Sequence, residues 1–374
     1  MAKKIVAADF YSMEDSYCGA PIFSSSLSIS IDGHVKSVRD CVGQWAGIPT
    51  VILELEDEVD AVARVRRWTK GEEGLVAALR AEKFDFASYD AQRILENAAV
   101  GGQTATVREL LLAGVPVKPL PVPQKDNPDD VASERVRLLA AASAHPDTLQ
   151  VFLDSGVSRD DQKDKDLALD FAARAGKLEA VRALISYGAN PNADLSRARI
   201  ATVDPNVIIG QVGPGNILID AARSGIPEVV KEILRYRPNL ETKNYKGETA
   251  LFVASESTRS DEDERRAECV RLLAKAGARV DVRDKDGNTP LHKSYLLDVD
   301  EELLRLGADV NARNHNGETP IFTNMNIQVL PLFLLHKADL TIRNNRGENV
   351  IEARKGRGNA WDEALHKEIA RTSR

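Results

Sequence analysis

Cysteine is scarce in this chain: 374 residues hold three, Cys18, Cys41 and Cys269. An odd, scattered set excludes a disulfide framework, and the absence of Cys-x-x-Cys spacing argues against a zinc site. Reduced thiols in a cytoplasmic setting are the expectation. Aromatic residues make up only 5% of the chain, so its cores must be filled mainly by Ala, Leu and Val. That composition suits thin helical layers that approach one another closely. An excess of positive charge is missing too. The net charge is −7, which disfavours a general nucleic-acid or anionic-membrane surface. No apolar run approaches the length of a bilayer-spanning helix. The opening MAKKIVAADF is too short in apolar stretch for a secretory leader. The six histidines are spread out, without HExxH spacing, so no metal site is expected.

What the chain does have is a repeat. Gly287-Asn288-Thr289-Pro290-Leu291 returns 30 residues later as Gly317-Glu318-Thr319-Pro320-Ile321, and 30 later again as Gly347-Glu348-Asn349-Val350-Ile351. Gly247-Glu248-Thr249-Ala250-Leu251 opens the same pattern 40 residues ahead of Gly287. A fixed period in this range means a stacked array of small units. Thr289 and Thr319 are placed to cap a first helix, and Pro290 and Pro320 sit where a missing N–H does no harm. A Gly closes each second helix. Twelve residues separate it from the small residue of the interhelix turn (Ala144 to Gly156, Gly176 to Gly188). Gly225 to Arg237 keeps the spacing, but Arg stands where Gly is expected. That predicts a less regular helix end there. The units from Gly287 and Gly317 are shorter than usual, which predicts truncated interhelix turns.

The pattern of turn, Thr-Pro-Leu-His, short helix, second helix and Gly-Ala-Asp-Val-Asn resembles the ankyrin repeat. The resemblance covers residues 71–374. It implies a mainly α fold, a solenoid of helix-turn-helix layers, with insertions at 194–214 and 255–266 and a C-terminal cap at 345–374. It also implies that His292 makes structural hydrogen bonds between turns.

Residues 1–70 do not follow the repeat. In SSSLSISIDGHVKS, Leu27, Ile29 and Ile31 alternate with serines, and Asp32-Gly33 supplies a two-residue turn, so a β-hairpin is expected. Pro49 then opens a helix with Ile52, Leu55, Val59 and Val62 on one face. The expectation is a small N-terminal α/β element, hairpin plus helix. The string DSYCGAP…LSISIDGHVKSVRDCVGQWAGIP…LEDEVDAVARVRRWTKG resembles the C-terminal half of a bacterial domain of unknown function that precedes ankyrin arrays. That resemblance implies a truncated domain and carries no active residue.

Candidates for chemistry have plain readings beside them. Gly210, Gly213 and Gly215 in VIIGQVGPGNILIDAA match neither GxGxxG nor a P-loop, and the run reads as a loop re-entering the stack. Cys269 reads as a core thiol. The acidic Asp261-Glu262-Asp263-Glu264 reads as a solvated loop. No catalytic residue and no cofactor is expected.

An array instead offers a surface. Spacing places Tyr245, Lys246, Lys285, His315 and Arg346 on turn tips, and Arg174, Arg223, Glu256 and Tyr295 on inner-helix positions. These nine form the candidate partner-binding surface, since Tyr and Arg dominate binding energy at interfaces. The expected function is a non-enzymatic scaffold or adaptor, a monomer binding a protein partner through a concave face. Two alternatives stand beside it. In one, the N-terminal element is catalytic or ligand-sensing and the array is its targeting module. In the other, the chain is an exported effector acting on foreign proteins.

Overall fold

The computed structural model describes residues 25–31, 34–40, 74–118, 138–195, 216–256, 263–324 and 326–354, with 363, 365 and 367. The helix expected after Pro49, Cys18, Cys41, the run from Gly210 to Gly215, and most of the terminal cap lie outside them. Two strands, β1 (Ser25–Ile31) and β2 (His34–Asp40), pair antiparallel with Ile31 opposite His34. This register leaves Asp32-Gly33 as the connecting dipeptide, as a two-residue hairpin requires.

The chain packs as two units, 1–116 with 202–208 and 117–201 with 209–374. The first holds α1 (Leu75–Ala81), α2 (Tyr89–Val100) and α3 (Thr104–Leu112). Ser88 caps α2 by accepting the Ala91 N–H, and α1 buries Leu75, Val76 and Leu79.

The second unit is a series of helix pairs. They are α4 (Leu138–Ala142) with α5 (Pro146–Asp154), α6 (Gln162–Arg174) with α7 (Leu178–Ser186), and α8 (Ile217–Ser224) with α9 (Pro227–Leu234). Next come α10 (Ala250–Ser255) with α11 (Asp263–Lys275), α12 (Pro290–Lys293) with α13 (Leu297–Arg305), and α14 (Pro320–Thr323) with α15 (Leu330–Leu335). Last is α16 (Val350–Arg354). First helices pack on first helices and second on second: α6 on α8, α8 on α10, α9 on α11, α11 on α13. Close approach of the first helices rests on small side chains, since Ala172, Ala173, Ala221, Ala222 and Ala254 are fully buried. Phe152, Phe252 and Phe333 are the largest fully buried side chains among the described residues. Burying one such apolar side chain contributes about 1.5–3 kcal/mol, and it is available only beside a neighbouring layer.

Helix ends follow local chemistry. Asp161, Asn216 and Thr249 accept the N3 backbone N–H of α6, α8 and α10. Thr289 forms a capping box with His292. Thr319 departs from expectation, because it takes the same extended conformation but its Oγ1 caps nothing. Arg237 takes φ 50, the left-handed state that Gly188 and Gly277 adopt at the equivalent place. The shortening of the Gly287 and Gly317 units also falls elsewhere than expected. It is the first helices α12 and α14 that shrink, to 4 residues each. Their ends are secured by side chains: Asn324 Nδ2 donates to Ser294 O and to Asp300 Oδ2. The charged stretch 255–266 is shorter as a loop than its composition suggests. Residues 263–266 belong to α11, and Arg266 is buried, its Nη2 donating to Arg223 O at 3.1 Å.

Candidate partner-binding surface

The turn tips are built from one local motif. In Asn244-Tyr245-Lys246-Gly247-Glu248, the Asn244 Oδ1 accepts the N–H groups of Lys246 and Glu248. Asp284, Asn314 and Asn344 repeat this at the next three tips. Each tip is stitched to the following one through the backbone. Lys285 N donates to Lys246 O (2.9 Å), His315 N to Asp286 O (2.9 Å) and Asn345 N to Asn316 O (2.8 Å). Glycine is required at two of these joints. At Gly287 (φ +78) a Cβ would stand 2.6 Å from His315 Cδ2, and at Gly317 (φ +73) it would meet Asn345 Oδ1 at 2.5 Å.

This geometry decides how free each candidate is. Tyr245 is 51% exposed and Tyr295 38%. Lys285 is exposed, and only its backbone is engaged. Lys246 lies 3.7 Å from the Glu248 carboxylate, and Arg346 lies 3.3 Å from Glu348. His315 is exposed yet leans on Gly287, so its ring helps pack two tips together.

The inner-helix candidates form a chain of charges. Arg174 reaches across from α6 to α8 and pairs with Asp220 at 2.9 Å, leaving its side chain 24% exposed. Arg223 stands 3.6 Å from the same carboxylate. Asp170 is buried beneath them. Burial, together with the Asp220 carboxylate beside it, holds Asp170 well above the usual carboxylate range. The Asp220 carboxylate faces both arginines. Glu256, at the end of α10, is raised by burial and by Glu248. Lys246, Lys293 and Arg223 oppose the rise from around it. Of these cations, Arg223 and Lys246 already face the carboxylates of Asp220 and Glu248.

Lys293, Asp170 and Asp220 were not among the residues expected at this surface. Lys293 directly follows His292, and Asp220 directly precedes Ala221-Ala222, so both lay beside recognised motifs. Their charges are drawn together by contacts between layers, which no spacing within one unit reveals.

His292 is fully buried. Its Nδ1 accepts the Thr289 N–H (3.1 Å), so the proton resides on Nε2, which donates to Glu318 O at 3.0 Å. Burial lowers its proton affinity and keeps it neutral. It ties its own turn to the next one. Cys269 is buried, and desolvation pushes its thiol up to about 12, which makes it an inert core group. The N-terminus of α8 is occupied by its own Asn216 side chain. Among the described residues, no group of His, Cys, Asp and Glu could hold a metal ion.

On the second-helix side, a Glu-x-x-Arg pair recurs. Arg182 of α7 bonds Glu232 of α9 (3.2 Å), which also bonds Arg235. Arg271 of α11 bonds Glu302 of α13 (3.1 Å), which also bonds Arg305. Burial works to raise Glu232 and Glu302, but paired guanidinium hydrogen bonds outweigh it and both are lowered.

The comparison with known families decides what such layers are. The family described as Ankyrin repeats (3 copies) matches residues 95–194 and 218–314, just over half of the chain. The chain belongs to the ankyrin repeat family. A curated relative, the Transient receptor potential cation channel subfamily A member 1 homolog of Caenorhabditis elegans, is 27% identical over 173 residues. That match covers 46% of this chain and 12% of the relative. An ankyrin array is a protein–protein interaction module, and the family is generally non-catalytic. Among the described residues, no helix is long and apolar enough to cross a membrane.

Proposed function

We propose that this ankyrin protein is a non-enzymatic scaffold or adaptor that binds a protein partner along its turn tips and first helices. The observation that carries this reading is the row of tips linked through the backbone that leaves Tyr245, Lys285 and Tyr295 exposed. Exposed aromatic and long basic side chains stand there on a rigid, backbone-stitched frame. Rigid presentation lowers the ordering cost of binding. The proposal treats 71–374 as the array and 1–70 as a separate element resembling part of a bacterial domain. It places the chain as a monomer in a reducing, cytoplasmic compartment, consistent with the buried free thiol of Cys269.

Affinity capture from the source cell tests it, with Tyr245, Lys285 and Arg346 changed together to Ala. A partner held by the parent chain and lost by the variant is expected. Native mass spectrometry gives the opposing outcome: a stoichiometric zinc ion or nucleotide would reject the non-enzymatic reading.

A further inference from the structure

The outer face of the second helices changes character at α15. From Asn326 to Leu335 the chain carries no charged residue. The 30-residue period sets this stretch against α13: Pro331, Leu332 and Leu335 stand where Glu301, Glu302 and Arg305 stand one layer earlier. Leu335 is 76% exposed and Ile327 40%, and Pro331 is exposed between them. Spaced four apart, these three make an apolar ridge, a shape that packs into the groove of another helix. Ile327 begins the 3-10 turn Ile327–Val329 that leads into α15, and α13 packs on that turn. The outer face of α13 is acidic. A groove of about 570 Å³ between α11 and α13 is lined by five carboxylates and two guanidinium groups. The guanidiniums, Arg271 and Arg305, pair with Glu268 and Glu302. The other three acids, Glu264, Asp298 and Glu301, are exposed and have no cation within ion-pair distance among the described residues.

We propose that this ridge docks an amphipathic helix of a protein partner, whose apolar stripe covers Ile327, Pro331 and Leu335 and whose basic flank meets Asp298 and Glu301. This is a second partner surface, on the second-helix side and apart from the tips, and it goes beyond the function proposed above. Two independent features choose the occupant. Adjoining aliphatic side chains left in water mark an interaction site. The unpaired acids beside them attract Lys or Arg, whose apolar stems lie along the ridge while their charged heads reach the groove. His336 and Lys337 follow Leu335 and are exposed, so the far end of the ridge turns a basic segment away. The basic flank therefore lies toward α13, which orients the bound helix. Complementary charge of this kind selects partners and register more than it adds raw affinity.

The probes are three labelled helical peptides of equal length. The first has a Leu stripe along one face and Lys on one flank, the second has Glu in place of Lys, and the third has Ser in place of Leu. Binding to the full chain is read by fluorescence anisotropy at low and high salt. Only the first is expected to bind, and more weakly as salt rises. Leu335→Ser and Glu301→Lys change exposed positions and should each weaken it about tenfold, whereas Tyr245→Ala should leave it unchanged. Circular dichroism establishes that each variant remains folded. Failure of the first peptide to bind overturns the inference, as does equal binding of the acidic peptide or binding that Leu335→Ser leaves unchanged. Binding abolished by Tyr245→Ala overturns it too, since the tips would then be the site. Self-association of the chain lost in Leu335→Ser would make the occupant a second copy, and attachment to phosphatidylserine vesicles lost in the same variant would make it a membrane; either result overturns the inference. The tip reading is tested separately, by capture with Tyr245, Lys285 and Arg346 changed to Ala, so each reading can fail alone.

Discussion

Asp300 gives the sharpest test of the packing. It lies on α13, fully buried, with Asn324 Nδ2 donating to its Oδ2 at 2.9 Å and Ser294 beside it. Burial pushes its carboxyl up to about 8, against the pull of the Asn324 hydrogen bond and the nearby Ser294 hydroxyl. Asp263 is the charged neighbour, and it adds to the rise. The folded pKa is therefore raised above the unfolded value of 3.8. Linkage then has a definite sign. The stabilising contribution is fully present below the unfolded pKa and is lost as pH rises through about 8. Each unit of pH inside that window costs about 1.4 kcal/mol, so raising pH from 5 to 7 should remove roughly 2–3 kcal/mol. Asp300→Asn supplies an uncharged group of the same shape. The variant should match or exceed the parent at pH 7 and lose this part of the pH dependence. Urea unfolding of both chains at several pH values between 5 and 9 measures it. Equal slopes of stability against pH in parent and variant would refute the buried, protonated state.

Further outcomes follow from the same contacts. Arg237→Gly removes a non-glycine residue from φ 50 on an exposed site and should stabilise by about 1 kcal/mol in urea unfolding, while Arg237→Ala should not. His292→Ala breaks the bonds to Thr289 and Glu318 and should cost about 2–4 kcal/mol, seen as faster exchange of the amides at 289–294 and 318–324. Leu304→Asp places a charge at a buried position of α13, so chain-resolved hydrogen exchange should show the C-terminal layers loosening before α6 and α7. Uniform loss of protection would contradict nearest-neighbour stacking.

Much of the architecture could be read in the sequence because its causes are local. The Gly-Glu-Thr-Pro period fixed the tips, and Asp32-Gly33 fixed the hairpin register seen between Ile31 and His34. The twelve-residue spacing found the left-handed helix ends at Gly156 and Gly188, but the less regular end expected at Arg237 is corrected: Arg237 adopts the left-handed state too. Contacts between layers were not legible. Asp170 and Asp300 look like ordinary solvated helix acids, yet stacking against neighbouring layers leaves both buried. Arg266 looked like part of a solvated charge run, yet the carbonyls of Arg223 and Ala254 draw it inward. The Glu-x-x-Arg pairs at 179/182, 232/235, 268/271 and 302/305 were visible as spacing. Which layer each Glu would face was not, because that depends on how one second helix sits on the next. The candidate surface was half legible for the same reason. Tips are set by turn chemistry, whereas the pairing of Arg174 with Asp220 requires two layers to be stacked.

The most direct measurement is hydrogen-exchange footprinting of the chain with its captured partner bound. Slowed exchange is expected at the tips around 245–246, 285 and 315–316 and on the first helices α8, α10 and α12, with α11 and α13 unchanged. Slowed exchange confined to the acidic groove between α11 and α13, with the tips untouched, would contradict the account.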